Sequence, residues 1–258
     1  MTRADADEHH ENPAAPLSAS ALSGIRRLSA MDTVRARISL AVDLGLLEPG
    51  EWLPGNAQLA AALEVSEITV RRALVALCEE GILERRRGRG GGTRVVDAPA
   101  RSTVRETEIY RAASAEVHDL IDRRLVLECG IAHLATRNAT PDQVEHLHAL
   151  TEQMNDAADW ADFHKLDETF HLAVAAATGI GAVQQEYARL LRELYRYYLP
   201  YPMQHLRESN REHVQLVAAL RNRDAACAGD VAERHVATLH QDMFVGLPHR
   251  ETAEQQQD

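Results

Sequence analysis

Residues 44–95 read LGLLEPGEWLPGNAQLAAALEVSEITVRRALVALCEEGILERRRGRGGGTRV, and the spacing of their apolar residues decides the fold. Val70, Leu74 and Leu77 fall at i, i+4 and i+7, so they share one face of a helix. Ser66 sits just ahead of that run, where a hydroxyl caps the first free backbone N–H groups. Gly81 ends the run, since glycine accepts the left-handed conformation that closes a helix. A shorter helix precedes it, from Gln58 to Leu63, entered through Pro54-Gly55-Asn56. Upstream, Val34, Ile38, Leu40 and Val42 mark a first helix, closed by the turn Leu44–Gly50. Downstream, Ile82–Arg86 and Thr93–Val96 read as two short strands around a glycine-rich tip. Three helices followed by a hairpin form a winged helix-turn-helix.

Outside this head the chain changes character. Residues 1–30 mix Ala, Asp, Glu, His, Pro and Ser without periodicity and read as a disordered tail; His9-His10 within it reads as a solvated pair or a weak metal site. Residues 31–97 form the head, and 98–107 are a polar linker. Residues 108–246 are nearly all helical, with helices expected near 110–137, 141–158, 161–177, 182–199, 208–222 and 225–245. Residues 247–258 form a second tail. The expected fold class is mainly α: a winged helix-turn-helix followed by an all-α bundle of about six helices.

Composition narrows the function classes. The chain has 258 residues and a formal charge of −11, which argues against nonspecific coating of nucleic acid. A local basic stretch, RRRGRGGGTR at 85–94, leaves room for a sequence-selective reader. Cys78, Cys129 and Cys227 lie far apart with no CxxC pair, as expected of a reduced cytoplasmic protein. No apolar run approaches the roughly 20 residues of a membrane span, and the N-terminus lacks a secretory pattern.

Two constellations carry chemistry. On the third helix Thr69, Arg71 and Arg72 lie off the apolar stripe, free to meet phosphates and base edges in a major groove. Ser66 caps the same helix. In the tip, Gly90 and its neighbours permit close approach to a phosphate, and Arg89 is placed to enter a minor groove. Each arginine alone also reads as a solvated surface charge. In the bundle, Asp167 and His171 are four apart, on one helical face. His213 and His235 each lie 11 residues from Asp224, a helix cap between two helices. Equal offsets in an antiparallel hairpin put both histidines at one height. Asp167, His171, His213 and His235 together give one oxygen and three nitrogen donors, a set suited to Zn, Ni, Mn or Fe(II). Any one of these histidines by itself reads as a hydrogen-bonded core residue. His164 reads as core, surface or cavity wall, and the stripe Leu190, Leu191, Leu194, Tyr195, Tyr197 and Tyr198 as core mixed with interface.

The head resembles the DNA-binding domain of the GntR family. Pro49-Gly50, Leu53-Pro54, Leu59-Ala60, Val65-Ser66, Val70-Arg71, Ala73-Leu74, Leu77, Gly81 and Gly88–Gly90 carry the likeness across the whole head. The departures are Ala57 and Glu67, where the family usually has arginines that help hold DNA, and Gly55-Asn56, where it usually has Ser-Glu. They imply an unusual operator or weaker binding. The bundle resembles the FCD-type ligand-binding domain of the family's FadR branch, in Arg124–Glu128 (RLVLE), Asp167–His171 (DETFH), Glu212-His213 with Ala219, and Asp224–His235. That resemblance implies that the Asp and three His residues hold a divalent transition metal, that a small organic acid binds beside it, and that Arg124 faces the acid. Arg124 also reads as the partner of Glu128 one turn on. The implied protein is a homodimeric regulator, most often a repressor, on a double-stranded DNA operator. Three other readings stay open: a regulator that senses the metal itself, a metalloenzyme, and a bundle that serves only for dimerisation.

Overall fold

In a computed structural model, residues 29–88, 91–100 and 114–243 are described. Residues 1–28 of the tail expected at 1–30, most of the linker, the tip residues Arg89 and Gly90, and the C-terminal tail lie outside the described residues.

The first helix of the head begins at Ala30. Ser29 accepts a hydrogen bond from the Asp32 N–H at 3.2 Å and caps α1 (Ala30–Asp43). Helix α2 (Asn56–Ala62) begins after Gly55, whose N–H donates to Gln58 Oε1. Ser66 caps α3 (Glu67–Glu79), accepting from the Thr69 N–H at 3.1 Å. Val70, Leu74 and Leu77 are buried in one core with Val34, Ile38 and Leu59. Gly81 takes φ +74°, the left-handed conformation that turns the chain into the hairpin. Strands β1 (Leu83–Arg86) and β2 (Gly92–Val95) pair antiparallel, with Leu83 opposite Val95 and Arg86 opposite Gly92. The tip requires glycine at position 91, because a Cβ there would stand 2.4 Å from the Arg86 carbonyl oxygen.

The bundle comprises α4 (Ser114–Asn138), α5 (Pro141–Asn155), α6 (Trp160–Ala176), α7 (Gly181–Tyr195), α8 (Met203–Arg221), α9 (Ala225–Ala237) and a short α10 (Leu239–Asp242). Helix α4 packs against α6, α7, α8 and α9. Ile131, Leu147, Phe170, Leu191, Leu220 and Val231 share its main core. Burying a side chain of the size of Phe170 contributes about 1.5–3 kcal/mol. Arg223, at φ +57°, makes the turn between α8 and α9. Its guanidinium donates to the carbonyls of Thr136 and Ala139 at 2.7 and 2.8 Å and closes the end of α4.

Several boundaries differ from the sequence reading: α5 ends at Asn155 and not at 158, and α7 at Tyr195 and not at 199. Helix α8 starts at Met203 and not at 208, because Pro202 at φ −56° stands at the N-cap and the polar turn behind it continues the helix. The single helix expected at 225–245 divides at Thr238 into α9 and α10, where Thr238 Oγ1 bonds back to the Arg234 carbonyl.

Head and bundle share apolar surface. Trp160, Ala161, Leu199 and Tyr201 of the bundle are buried in the head's own core. Gln58 of α2 donates to Asp159 and Asp162 at 3.3 Å. Arg37 of α1, itself buried, donates Nε to the Tyr198 carbonyl.

Candidate metal and effector centre

The four donors expected from spacing come together. Asp167 and His171 project from one face of α6, His213 from α8 and His235 from α9, and all four are buried. Aligned about the Asp224 cap, whose carboxylate accepts from the Cys227 N–H, the last two meet with Nε2 atoms 3.3 Å apart. Asp167 Oδ1 lies 3.5 Å from His213 Nε2 and 3.6 Å from His171 Nε2. Ligand nitrogens of the three histidines all lie within 4.8 Å of one another. A tetrahedral ion with bonds of 2.0–2.1 Å spans ligand pairs about 3.4 Å apart, so these edges have the right size.

The outward atoms explain why the inward ones converge. His171 Nδ1 donates to Glu128 Oε1 at 3.0 Å, and His235 Nδ1 donates to Glu212 Oε2 at 3.0 Å. His213 Nδ1 faces Asn210 Oδ1 at 3.3 Å, and Asn210 is itself fixed by donating to the Thr151 carbonyl. Tyr195 Oη donates to Asp167 Oδ2 at 3.0 Å. Acceptors on each Nδ1 select the tautomer whose Nε2 lone pair points inward. Arg124 donates to one of them, His171 Nε2, and the three Nε2 atoms beside the Asp167 carboxylate oxygen make a nitrogen-and-oxygen donor set of the kind that holds a transition metal. Burial, and then the neighbouring His235, hold His213 well below the ordinary imidazole range, which keeps its lone pair available. Burial alone would raise Asp167, but His171, His213 and Arg124 outweigh it and hold the carboxyl well below the usual range.

Arg124 makes the ion pair with Glu128 that the i, i+4 spacing offered, Nε to Oε2 at 2.7 Å. It also reaches the centre, with one terminal nitrogen 3.0 Å from His171 Nε2. Its other terminal nitrogen donates to Tyr198 Oη at 2.7 Å. Glu128 also accepts from Tyr187 Oη at 2.5 Å. A cavity of about 320 Å³ opens beside the centre. Its lining includes Arg124, Asp167, His164, Trp160, Tyr198 and Arg37. His164 is thus a cavity-wall residue, and burial lowers its pKa to about 4.

Spacing did not reveal the supporting groups. Asn210 stands one turn before His213 and Glu212 beside it, so α8 carried a local signal for both. Glu128 meets His171 from another helix, and no sequence interval marks that contact.

On the head, Arg71 and Arg72 are exposed on α3, with Thr69 at the edge of its buried face. Ser66 Oγ and Thr69 Oγ1 bond at 2.8 Å. Arg85, Arg86 and Arg87 are exposed along the hairpin. Ala57 and Glu67, the two departures, are exposed at the starts of α2 and α3.

Comparison with known proteins bears on both halves. Residues 30–95 match the family model described as bacterial regulatory proteins, gntR family, and residues 119–238 match the FCD domain. The chain is 30% identical over 210 residues to the HTH-type transcriptional regulator RmpR of Mycobacterium gastri, covering 80% of this chain and 77% of that one. It is also 30% identical over 207 residues to the Uxu operon transcriptional regulator of Escherichia coli K12, covering 75% and 78%. A GntR regulator structure from Rhodococcus sp. RHA1 aligns over 86% of this chain and all of its own, with TM-score 0.47 and 18% identity.

Proposed function

Starting from a chain that belongs to the GntR family of bacterial transcription regulators and carries an FCD domain, we propose that it is a metal-dependent, acid-responsive repressor acting as a homodimer on a double-stranded DNA operator. The observation that carries this reading is the buried Asp167, His171, His213 and His235 set, with inward Nε2 atoms and a cavity beside it.

In this reading a bound divalent ion of the Zn, Ni, Mn or Fe(II) class supplies a Lewis-acidic anchor for a carboxylate oxygen. The chain's residues do the rest. Arg124, held by Glu128, presents a planar fork to the acid's other oxygen. Tyr198 accepts from Arg124 through its hydroxyl and from Arg37 of the head through its carbonyl, so a movement of Arg124 has a short path to α1. Arg71, Arg72 and Thr69 address the operator, Ser66 fixes the start of their helix, and the tip with Arg89 and Gly90 completes the grip. Two heads on a two-fold axis read two operator halves. Linkage requires that an acid which weakens operator binding is itself bound more weakly by the operator complex, by the same factor.

A cavity of this size favours an organic effector over the ion alone as the signal. The carboxylates touching the centre also favour a regulator over an enzyme. Glu128 and Glu212 each hold a histidine and an arginine, which leaves neither placed as a general base. The test is a gel shift on the operator selected by the full chain from random duplex DNA, with and without Zn²⁺ and a panel of small carboxylates. The reading expects one or more acids to release DNA only when metal is present. Release by chelation alone, with no acid effective, would support the metal-sensing alternative and reject this one.

A further inference from the structure

The outward face of α3 is not wholly polar. Ile68, Arg71, Arg72 and Val75 fall at i, i+3, i+4 and i+7, so they share one stripe of the helix. All four are exposed, Ile68 to 56% and Val75 to 45%. The stripe points away from the buried Val70, Leu74 and Leu77. A single exposed aliphatic side chain is ordinary on a protein surface. Ile68 is placed differently, because it shares its stripe with two guanidiniums that make no ion pair among the described residues.

The first turn of α3 is held in place. Ser66 Oγ and Thr69 Oγ1 bond each other at 2.8 Å, and Ser66 Oγ accepts from the Thr69 N–H at 3.1 Å. Ile68 is therefore presented from a fixed backbone. Glu67 beside it is exposed, and a phosphate would repel it. The other end of α3 carries Glu79 and Glu80, which phosphates would repel as well. The arginines and Ile68 lie in the N-terminal turns, where recognition helices meet base edges. Val75, two turns further on, instead lines a cleft with Cys78, Glu79 and Arg85.

We propose that Ile68 is a specificity-determining residue, which reads the 5-methyl group of a thymine in the major groove beside the contacts of Arg71 and Arg72. That methyl group marks thymine in the groove, and apolar side chains recognise it without a hydrogen bond. Isoleucine has no donor or acceptor, so an apolar base edge is the partner that suits it. The inference rests on α3 being the helix that enters the operator. It adds a base preference: a thymine at a fixed place in each half-site.

In the experiment, the full chain first selects its operator from random duplex DNA. Each thymine of that operator is then replaced singly by deoxyuridine, which removes the methyl group alone. One thymine in each half should lose about fourfold in affinity, the scale of burying one methyl group, and about fifteenfold when both are replaced. In Ile68→Ala the same replacements should change affinity by less than about 1.5-fold. Ile68→Ser should behave alike and serves if Ile68→Ala binds too weakly to measure. Neither substitution should alter the slope of log K against log salt, since no phosphate contact is lost. A selection that returns no preferred sequence, an operator in which no deoxyuridine weakens binding, or a penalty that persists in both variants would overturn the assignment. Arg71→Ala separates that failure from failure of the helix: loss of operator affinity there leaves α3 facing DNA without a thymine contact, whereas unchanged affinity removes α3 from the interface and the assignment with it.

Discussion

Replacing Glu128 with glutamine separates what this carboxylate does for stability from what it does for the metal. Glu128 receives three donors in a buried place: Arg124 Nε at 2.7 Å, Tyr187 Oη at 2.5 Å and His171 Nδ1 at 3.0 Å. Glutamine keeps the shape but offers one acceptor oxygen and an NH₂ that can only donate. At least one of the three donors then faces another donor, and the buried Arg124 cation loses its counter-charge. Breaking a buried pair in this way costs about 3–5 kcal/mol, a large share of the 5–15 kcal/mol that holds a typical domain. His171 also loses the acceptor that fixes its tautomer, which typically lowers metal affinity 10–100-fold. Glu212→Gln is the control. It holds His235 in the same way, but its side chain is 21% exposed and it shares Arg234 with solvent. It should cost about 1 kcal/mol or less in stability and still lower metal affinity about tenfold or more. Urea unfolding of the metal-free chains and Zn²⁺ competition against a chromophoric chelator give the two numbers. A Glu128→Gln chain that unfolds at the parent's urea midpoint and keeps its Zn²⁺ affinity within about twofold would refute the reasoning.

Three further outcomes are expected. Arg71→Ala should abolish the operator shift in a gel at fixed salt, whereas a phosphate-only role would leave weakened binding and lower the slope of log K against log salt by about 1. Gly91→Ala should leave the bundle's metal affinity unchanged but weaken operator binding, because the new Cβ meets the Arg86 carbonyl and displaces the tip; unchanged DNA affinity would remove the hairpin from the interface. Arg223→Ala strips the donor from two carbonyls at the end of α4, and a fall of about 2–6 kcal/mol in urea unfolding is expected at about 1–3 kcal/mol per orphaned group.

The parts of this molecule legible in the sequence are those governed by local periodicity. Val70, Leu74 and Leu77 announced the buried face of α3, and Ser66 and Gly81 its two ends. Asp167 and His171 were readable because one helical turn separates them, and His213 and His235 because Asp224 gave a symmetric turn from which to count. The rest depends on contacts that no interval encodes. Glu128 meets His171 from α4, and Arg37 meets the Tyr198 carbonyl across 161 positions of sequence. The start of α8 was misplaced because Pro200 and Pro202 read as a loop, whereas Pro202 stands at the N-cap and Met203 and Leu206 already pack on the cores.

The central claim is that Asp167, His171, His213 and His235 form one transition-metal site, and Co²⁺ tests it most directly. Titrating the metal-free full chain should give visible d–d bands that saturate at one equivalent per chain. X-ray absorption should place nitrogen and oxygen neighbours at about 2.0–2.2 Å, and both signals should vanish in His213→Ala and in Asp167→Ala. Bands that persist in those variants, or a parent chain that takes up no Co²⁺, would contradict the account.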